Sequence, residues 1–375
     1  MLYLDNAATT KPNKEVLETL YKLYDKYFMN ADSPYLPATN IHDLQEQARL
    51  NLADMLKIKS DELIFTSCGS EANNTAIKGI ALKYLNKGKK HIITSVIEHS
   101  SVYETMKQLE SLGFEVTYLY PDAYGKIANE DILAVIKDNT ILISVMKVNS
   151  ELGALNNVEL IYDEIKKKNS NIIVHCDCVQ AFGKYDLNLA KMDLASFSAH
   201  KINGIKGSAL LYKKNKVTIM PLIIAGQQES GLRGGTSAYQ QNIVLAKTLR
   251  IFLEKRDYSK LKERFDYIYG LLENNDKIHV NSNKKDNSLF IINFSIPEYK
   301  PEVILNALEK EEIYISAKSA CSTNVKRSRV IDALPIKDEY KDSAIRISFD
   351  LDTSIEDLKI FYDKLCLCLD DIKRG

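Results

Sequence analysis

Lys201 follows a short, mostly apolar run, residues 194–197, that reads as a buried strand, and His200 stands directly before it. A lysine at the end of such a strand can hold an aldehyde as a Schiff base. Desolvation and neighbouring positive charge lower its pKa and make it a neutral nucleophile near pH 7. Taken alone, Lys201 is one of 50 Lys and Arg residues, and a surface lysine is the simpler reading. It gains weight from other residues at the ends of apolar runs. His99 follows the run 91–96, Asn149 follows 141–148, and Asp177 ends 172–177. Asp177 can pair with a protonated ring nitrogen, although a helix cap or a surface carboxylate explains a lone Asp as well. His99 can stack on a flat ring; a satisfied loop histidine is the alternative.

Further residues suit anion binding. Gly69 and Ser70 sit in a tight turn entering a predicted helix, where free N–H groups and the helix dipole face an anion. An N-cap by Ser70 is the simpler reading, and the Gly-Lys-Ser/Thr of a Walker loop is missing. Arg233 and Arg346 carry the planar fork that grips a carboxylate. Arg346 lies in an alternating run, 345–349, whose apolar residues pack on a core. Of the six cysteines, Cys176 and Cys178 point to one face of a strand, and Cys366 and Cys368 belong to an apolar C-terminal helix. None forms a Cys-x-x-Cys set, so no metal site is expected. Cys321 differs, because its neighbours are small and polar and its segment reads as loop.

The elements that position these residues follow one rhythm. A short strand, 2–4, leads to the small-residue turn Asp5-Asn6-Ala7-Ala8-Thr9-Thr10. Helices are predicted over 13–27 and 42–56, with a loop over 30–40. Strands at 63–66, 91–96, 116–120, 141–148, 172–177, 194–198 and 209–212 alternate with helices at 76–84, 102–111, 128–137 and 159–168. Strands this apolar argue for a mostly parallel sheet covered on both faces, with ligands beyond the C-terminal strand ends. Residues 226–236 form a glycine-rich polar loop. Residues 240–272 read as long and helical. Strands at 289–295, 313–316 and 344–349, with helices at 303–310 and 355–369, suggest a smaller sheet. The long stretch 317–343 reads as a loop.

Lys+Arg and Asp+Glu balance at 50 each, so no basic patch suggests nucleic acid. The first residues carry no basic stretch followed by an apolar run, and no apolar stretch approaches the ~20 residues of a membrane span. A soluble, cytoplasmic protein without a membrane partner is the expectation.

Across nearly its whole length the chain resembles the cysteine desulfurases, in the class V branch of fold-type I pyridoxal-phosphate enzymes. The matching segments come in the family's order. They are Tyr3 to Thr10, Phe65 to Asn74 around the phosphate turn, Glu98 to Val102, Val148 to Gly153, Asp177-Cys178-Val179-Gln180-Ala181, Ser196 to Lys201, Gly231 to Thr236, and Ser319-Ala320-Cys321-Ser322. The later part resembles the branch with a long loop after the catalytic cysteine.

The resemblance implies an α/β fold with a large domain, 15–250, built on a seven-stranded sheet. A smaller α+β domain is formed by 1–14 and 251–375. It implies pyridoxal 5'-phosphate as cofactor, carried by Lys201, with Asp177 at the ring nitrogen. Gln180 and Asn149 would lie near the ring hydroxyl, with Asn149 also near the substrate. Gly69, Ser70, Ser198 and His200 would hold the phosphate, joined by Thr236 from the other subunit of a homodimer. His99 would stack on the ring and shuttle protons, and Arg346 would hold the carboxylate of L-cysteine. Lys201 would move the Cα proton, and Cys321 would take the sulfur as a persulfide and leave alanine. The sulfur would pass to an acceptor protein, a scaffold for iron–sulfur clusters or a tRNA-thiolation enzyme. A selenocysteine lyase or a class V aminotransferase is the alternative.

Overall fold

The computed structural model describes residues 1–88, 90–317 and 327–372. The chain opens with a two-residue strand, β1 (Leu2–Tyr3), and two helices, α1 (Lys14–Lys26) and α2 (Leu36–Leu56). Then come β2 (Leu63–Thr66), α3 (Gly69–Ala81), β3 (His91–Ser95), α4 (Ser100–Ser111), β4 (Glu115–Leu119), β5 (Thr140–Ser144), β6 (Ile173–Asp177), β7 (Leu194–Ser198) and β8 (Ala209–Lys213). Strands β2 to β8 make one sheet in the order β2-β8-β7-β6-β5-β3-β4. Only β8 runs antiparallel to its neighbours; every other pair is parallel. This is the mostly parallel seven-stranded sheet expected from the apolar runs.

The period of two in a strand explains why both faces are buried. Phe65, Ile93, Ile143, Phe197 and Leu210 join one apolar core. Their chain neighbours Ile64, Ile92, Leu142, Leu211 and, three residues before Phe197, Leu194 join another. Alternate residues thus feed opposite layers, so the strands read as continuous hydrophobic runs. That double cover holds the strand ends rigidly, and the site is built on those ends.

The last third adds β9 (His279–Val280), β10 (Ile291–Ser295), β11 (Ile313–Tyr314) and β12 (Ala344–Ser348). β12, β10 and β9 form an antiparallel sheet. The run at 313–316 does not join it as a strand. β11 pairs in parallel with β1 instead, and just beyond it Ser316 forms an isolated bridge with Arg346 of β12. The apolar core here contains Leu4 together with Phe294, Ile345, Phe361 and Leu365. The N-terminus is therefore packed against elements some 300 residues later, which brings the turn after Leu4 to the site.

Two expectations about helices are corrected. Residues 36–40, read as loop, open α2, because Pro37 sits in the first turn where its missing N–H costs nothing. The long helix over 240–272 is two helices, Tyr239–Lys255 and Tyr258–Glu273. Asp257 separates them by accepting from the backbone N–H of Ser259 and Lys260 at 3.0 and 3.3 Å.

A buried histidine ties the central strands together. His175 on β6 meets Ser144 Oγ on β5 at 2.8 Å and Ser196 Oγ on β7 at 3.1 Å. Burial pushes its pKa down from 6.5 to about 3. The unfolded chain takes up this proton near pH 6.5, whereas the folded chain resists it until about 3. Its contribution is therefore intact above pH 6.5 and is lost as pH falls towards 3. Urea midpoints measured across this window should fall with acid, and His175→Gln should make that fall shallower. An unchanged slope would remove His175 from the explanation.

Candidate active site

A cavity of about 240 Å³ opens where the ends of β6 and β7, the start of α3 and the start of α4 meet. Ala7 and Ala8 of the N-terminal turn and Arg346 of β12 complete its lining. The C-terminal ends of parallel strands are where this architecture leaves a crevice.

Lys201 stands in a single 3-10 turn, Ala199–Lys201, directly after β7. Its amine donates to the carbonyls of Ala7 and Ala8, both at 2.6 Å. The N-terminal turn is itself fastened to this segment, since Thr10 N–H donates to the His200 carbonyl at 2.9 Å. Acceptors so close hold the amine at the cavity wall.

Asp177 ends β6 and is buried, and both its oxygens are engaged. Oδ1 accepts from Val179 N–H at 2.9 Å, and Oδ2 accepts from Asn73 Nδ2 at 2.7 Å. The same Asn73 nitrogen donates to Ser101 Oγ at 2.9 Å. Ser101 Oγ lies 2.8 Å from His99 Nδ1, and Ser101 N–H donates to that nitrogen at 3.1 Å. Nδ1 is thus an acceptor, so the neutral ring carries its proton on Nε2. Burial, and then Lys201 and Arg329, hold the His99 pKa below its ordinary value, although Asp177 opposes them. Asn73 and Ser101 were not singled out from sequence. The available signal was spacing, because Asn73 lies three residues after Ser70 on the same helix.

The far end of the cavity suits an anion. Gly69 and Ser70 open the 13-residue α3, whose first N–H groups lack carbonyl partners within the helix. A Cβ at Gly69 would come within 2.7 Å of Val179 Cγ2, so only glycine lets the backbone approach here. Ser198 Oγ is buried, lines the cavity and has no hydrogen-bond partner among the described residues. Buried hydroxyls are rarely left so, and a phosphate oxygen at this end would satisfy it. His200 also lines the cavity, with Nδ1 3.2 Å from Thr9 Oγ1. Burial and the nearby lysines push its pKa down to about 3, so it is neutral. The helix cap is a surprise. Cys68 Sγ, rather than Ser70, accepts from Glu71 N–H at 3.4 Å.

Arg346 is buried beside Asp5, with which it forms an ion pair, and it donates to the Ser150 carbonyl at 2.8 Å. Its Nε is buried without a partner among the described residues. A carboxylate entering the cavity finds that donor unspent. Gln180 lines the cavity while its Nε2 donates to the Ala7 carbonyl at 2.9 Å.

The structure does not bring every expected residue to the cavity. Asn149 is fully buried but does not line it. Its Oδ1 accepts from Glu151 and Leu152 N–H, both at 2.9 Å, and its Nδ2 donates to the Ile97 carbonyl at 3.0 Å. The amide is committed to shaping the turn after β5, as buried polar groups require. Thr236 is exposed and lies outside the lining of the cavity. Arg233 does hold a carboxylate, but an internal one, pairing with Glu71 at 2.9 Å. Cys321 lies outside the described residues.

A second ion pair fastens the glycine-rich loop. Arg49 donates to both oxygens of Glu229 at 2.8 and 2.9 Å, and Glu229 also accepts from Phe65 N–H at 2.9 Å. Glu229 and Ser230 have φ of 48° and 56°, a left-handed backbone that non-glycine residues seldom adopt. The pair therefore holds a strained corner against β2, the strand that leads into the Gly69 turn. Removing Glu229 leaves the buried Arg49 with only the partly exposed Glu46 as a charged partner. Glu229→Ala should cost about 3 kcal/mol in urea unfolding. A loss within about 0.5 kcal/mol would show the clamp to be dispensable.

Comparison with known proteins agrees with this architecture. The model of the class-V aminotransferases matches residues 2–361. A NifS/IcsS protein homolog of Lactobacillus delbrueckii subsp. bulgaricus is 38% identical over 373 residues, covering 96% of this chain and 95% of the relative. The cysteine desulfurase IscS of Dictyoglomus turgidum is 37% identical over 372 residues, covering 97% and 93%. Among solved structures, a NifS-like protein superposes with a TM-score of 0.92 at 32% identity, over 98% of this chain and 99% of that one. SspA in complex with cysteine superposes with a TM-score of 0.83 at 32% identity, over 93% and 99%. The chain belongs to the class-V aminotransferase family, in its cysteine desulfurase branch.

Proposed function

We propose that the chain is a pyridoxal-phosphate-dependent cysteine desulfurase, which takes sulfur from L-cysteine and leaves L-alanine. The observation that carries this reading is the single cavity lined by Lys201, Asp177, His99, Ser198 and Arg346. When bound, pyridoxal phosphate supplies an electron sink for the bond changes at the substrate. Lys201 would anchor it, Asp177 would set a negative charge at its ring nitrogen, and the α3 N-terminus with Ser198 and His200 would take its phosphate. Arg346 receives the substrate carboxylate at its unspent Nε. The Lys201 amine would also move the Cα proton of the substrate. The neutral His99, with its Nε2–H turned away from Ser101, moves a proton near the ring.

In the sulfur step, the thiolate of Cys321 attacks the substrate sulfur. The C–S bond breaks, an S–S bond forms on the enzyme, and the carbon side takes the electron pair and a proton to become alanine. Incubating cofactor-loaded protein with L-cysteine should yield alanine, with a persulfide on Cys321 found by mass spectrometry. Amino transfer to a keto acid without sulfur release would instead support the aminotransferase reading. Faster release from selenocysteine with no role for Cys321 would support a lyase.

The enzyme works as a homodimer in this reading. Tyr21, Phe28, Leu36 and Ile224 are large, apolar and exposed. The regions that carry Phe28, Leu36 and Ile224 are joined, because Gln228 donates to Asp32 at 2.9 Å and Gly234 N–H donates to the Ile223 carbonyl. Exposed apolar residues clustered in this way favour burial against a second chain. Thr236, exposed nearby, would then serve the partner's phosphate end. A monomer in light scattering at micromolar concentration would exclude this. In this reading the sulfur passes to an acceptor protein, a scaffold for iron–sulfur clusters or a tRNA-thiolation enzyme. No helix among the described residues is long and apolar enough to cross a membrane.

A further inference from the structure

Gln180 does not stand alone behind the cavity. Lys184 is buried, outside the cavity lining, and its Nζ donates to Gln180 Oε1 at 3.1 Å. The same Nζ lies 5.1 Å from the centre of the Phe290 ring. The backbone holds it there. Lys184 N–H donates to the Ala181 carbonyl at 3.0 Å, and its own carbonyl accepts from Tyr258 OH at 3.0 Å. Gly183 before it has φ of 66°, a turn that aims the next side chain inward.

A buried lysine is expensive, and this one has no carboxylate at salt-bridge distance among the described residues. It faces an amide instead. Gln180 has one Nε2 hydrogen on the Ala7 carbonyl and a second one left for the cavity. A cation on Oε1 polarises the amide and makes that second N–H a stronger donor.

We propose that Lys184 is a positioning residue that acts through Gln180, setting the amide's orientation and adding positive charge behind the ring oxygen of the cofactor. This rests on reading the cavity as a pyridoxal-phosphate site. The groups around Lys184 fit the role. Lys201 faces it from the turn after β7 and Asp350 from the residue pair after β12. On its remaining side Tyr258 and Arg256 are engaged with the Lys184 and Gly183 carbonyls. Burial, and then Lys201, lower the Lys184 pKa to about 7, with Asp350 opposing. An electron-rich ring oxygen reaching Gln180 would favour its charged form.

Positive charge and a strong donor at the ring oxygen both disfavour a proton on the nitrogen that links Lys201 to the cofactor. Removing them should raise the pH at which the visible band of the holoenzyme titrates. The test compares wild type with Lys184→Met, Lys184→Gln and Lys184→Arg, all loaded with pyridoxal phosphate. The Met and Gln proteins should titrate higher by roughly half a pH unit or more, and should release the cofactor several-fold faster on dilution. The Arg protein, which keeps the charge, should stay near wild type. The Gln protein keeps a donor of similar length and decides the matter if the Met protein does not fold. Met and Gln proteins that titrate with wild type would overturn the proposal. A wild type with no visible band would instead overturn the cofactor reading itself, so the two failures are distinct.

Discussion

Lys201→Ala protein should form no covalent link to pyridoxal phosphate and should turn over L-cysteine at less than about one ten-thousandth of the wild-type rate. Lys201 has two tasks, anchoring and proton transfer, and among the described residues no other lysine lines the cavity. Lys184 is near but is turned to Gln180 at 3.1 Å. The fold should survive. The lost contacts include two hydrogen bonds to the Ala7 and Ala8 carbonyls, and the turn remains fastened through Thr10 and His200. The measurements are the visible absorption of the loaded protein, its circular dichroism, and alanine formed from L-cysteine. A small added amine should restore part of the proton-transfer rate but not the anchoring. Substantial turnover by well-folded Lys201→Ala protein would sink the assignment of this residue.

The second large effect is expected at Asp177. Asp177→Asn should lower turnover about a thousand-fold and weaken cofactor retention. The substitution removes the charge that would hold a proton on the ring nitrogen. It also brings a local conflict. Oδ2 accepts from Asn73 Nδ2 at 2.7 Å and Oδ1 from Val179 N–H at 2.9 Å. An asparagine amide satisfies one of these and presents N–H to the other donor. Where the new N–H faces Asn73, Asn73 loses its grip, and with it the bond to Ser101 that positions His99. Asp177→Glu keeps the charge but not the reach, so it separates the two causes. Full charge-dependent rescue by Glu would make the electrostatic role dominant. Wild-type rates in Asp177→Asn would refute both. Because the Asn73 link is a contact within the protein, Asn73→Ala should also move the acid limb of the pH–rate profile, which a purely structural role would leave in place.

Much of this site was legible before any coordinates. Lys201, Asp177 and His99 sit at the ends of apolar runs, and strands of this kind expose little else that is polar. Glycine before a hydroxyl at a helix start was legible for the same reason, since anion binding by N–H groups is a local property. Legibility failed where local chemistry was ambiguous. Cys68 took the cap from Ser70 because a sulfur can accept from the same N–H. Asn149 has the right type and position for a ligand, yet its amide is spent on the Glu151 and Leu152 N–H groups. Arg233 has a carboxylate partner, and nothing in its neighbours says that the partner is Glu71.

The sequence alone determined the alternation of strands and helices, the two-sided burial of the sheet and the types of residue at its ends. These follow from periodicity and from short-range backbone chemistry. Tertiary structure alone decided which of those residues meet. Asn73 reaches Asp177 across 104 positions, and Arg346 reaches Asp5 across 341. It also set Lys184 behind Gln180 and placed the carbonyls of Ala7 and Ala8 on the Lys201 amine. No spacing rule specifies such partners. They depend on strand order and on Leu4 packing into the C-terminal core, and both are settled by burial over the whole chain rather than by any segment of it.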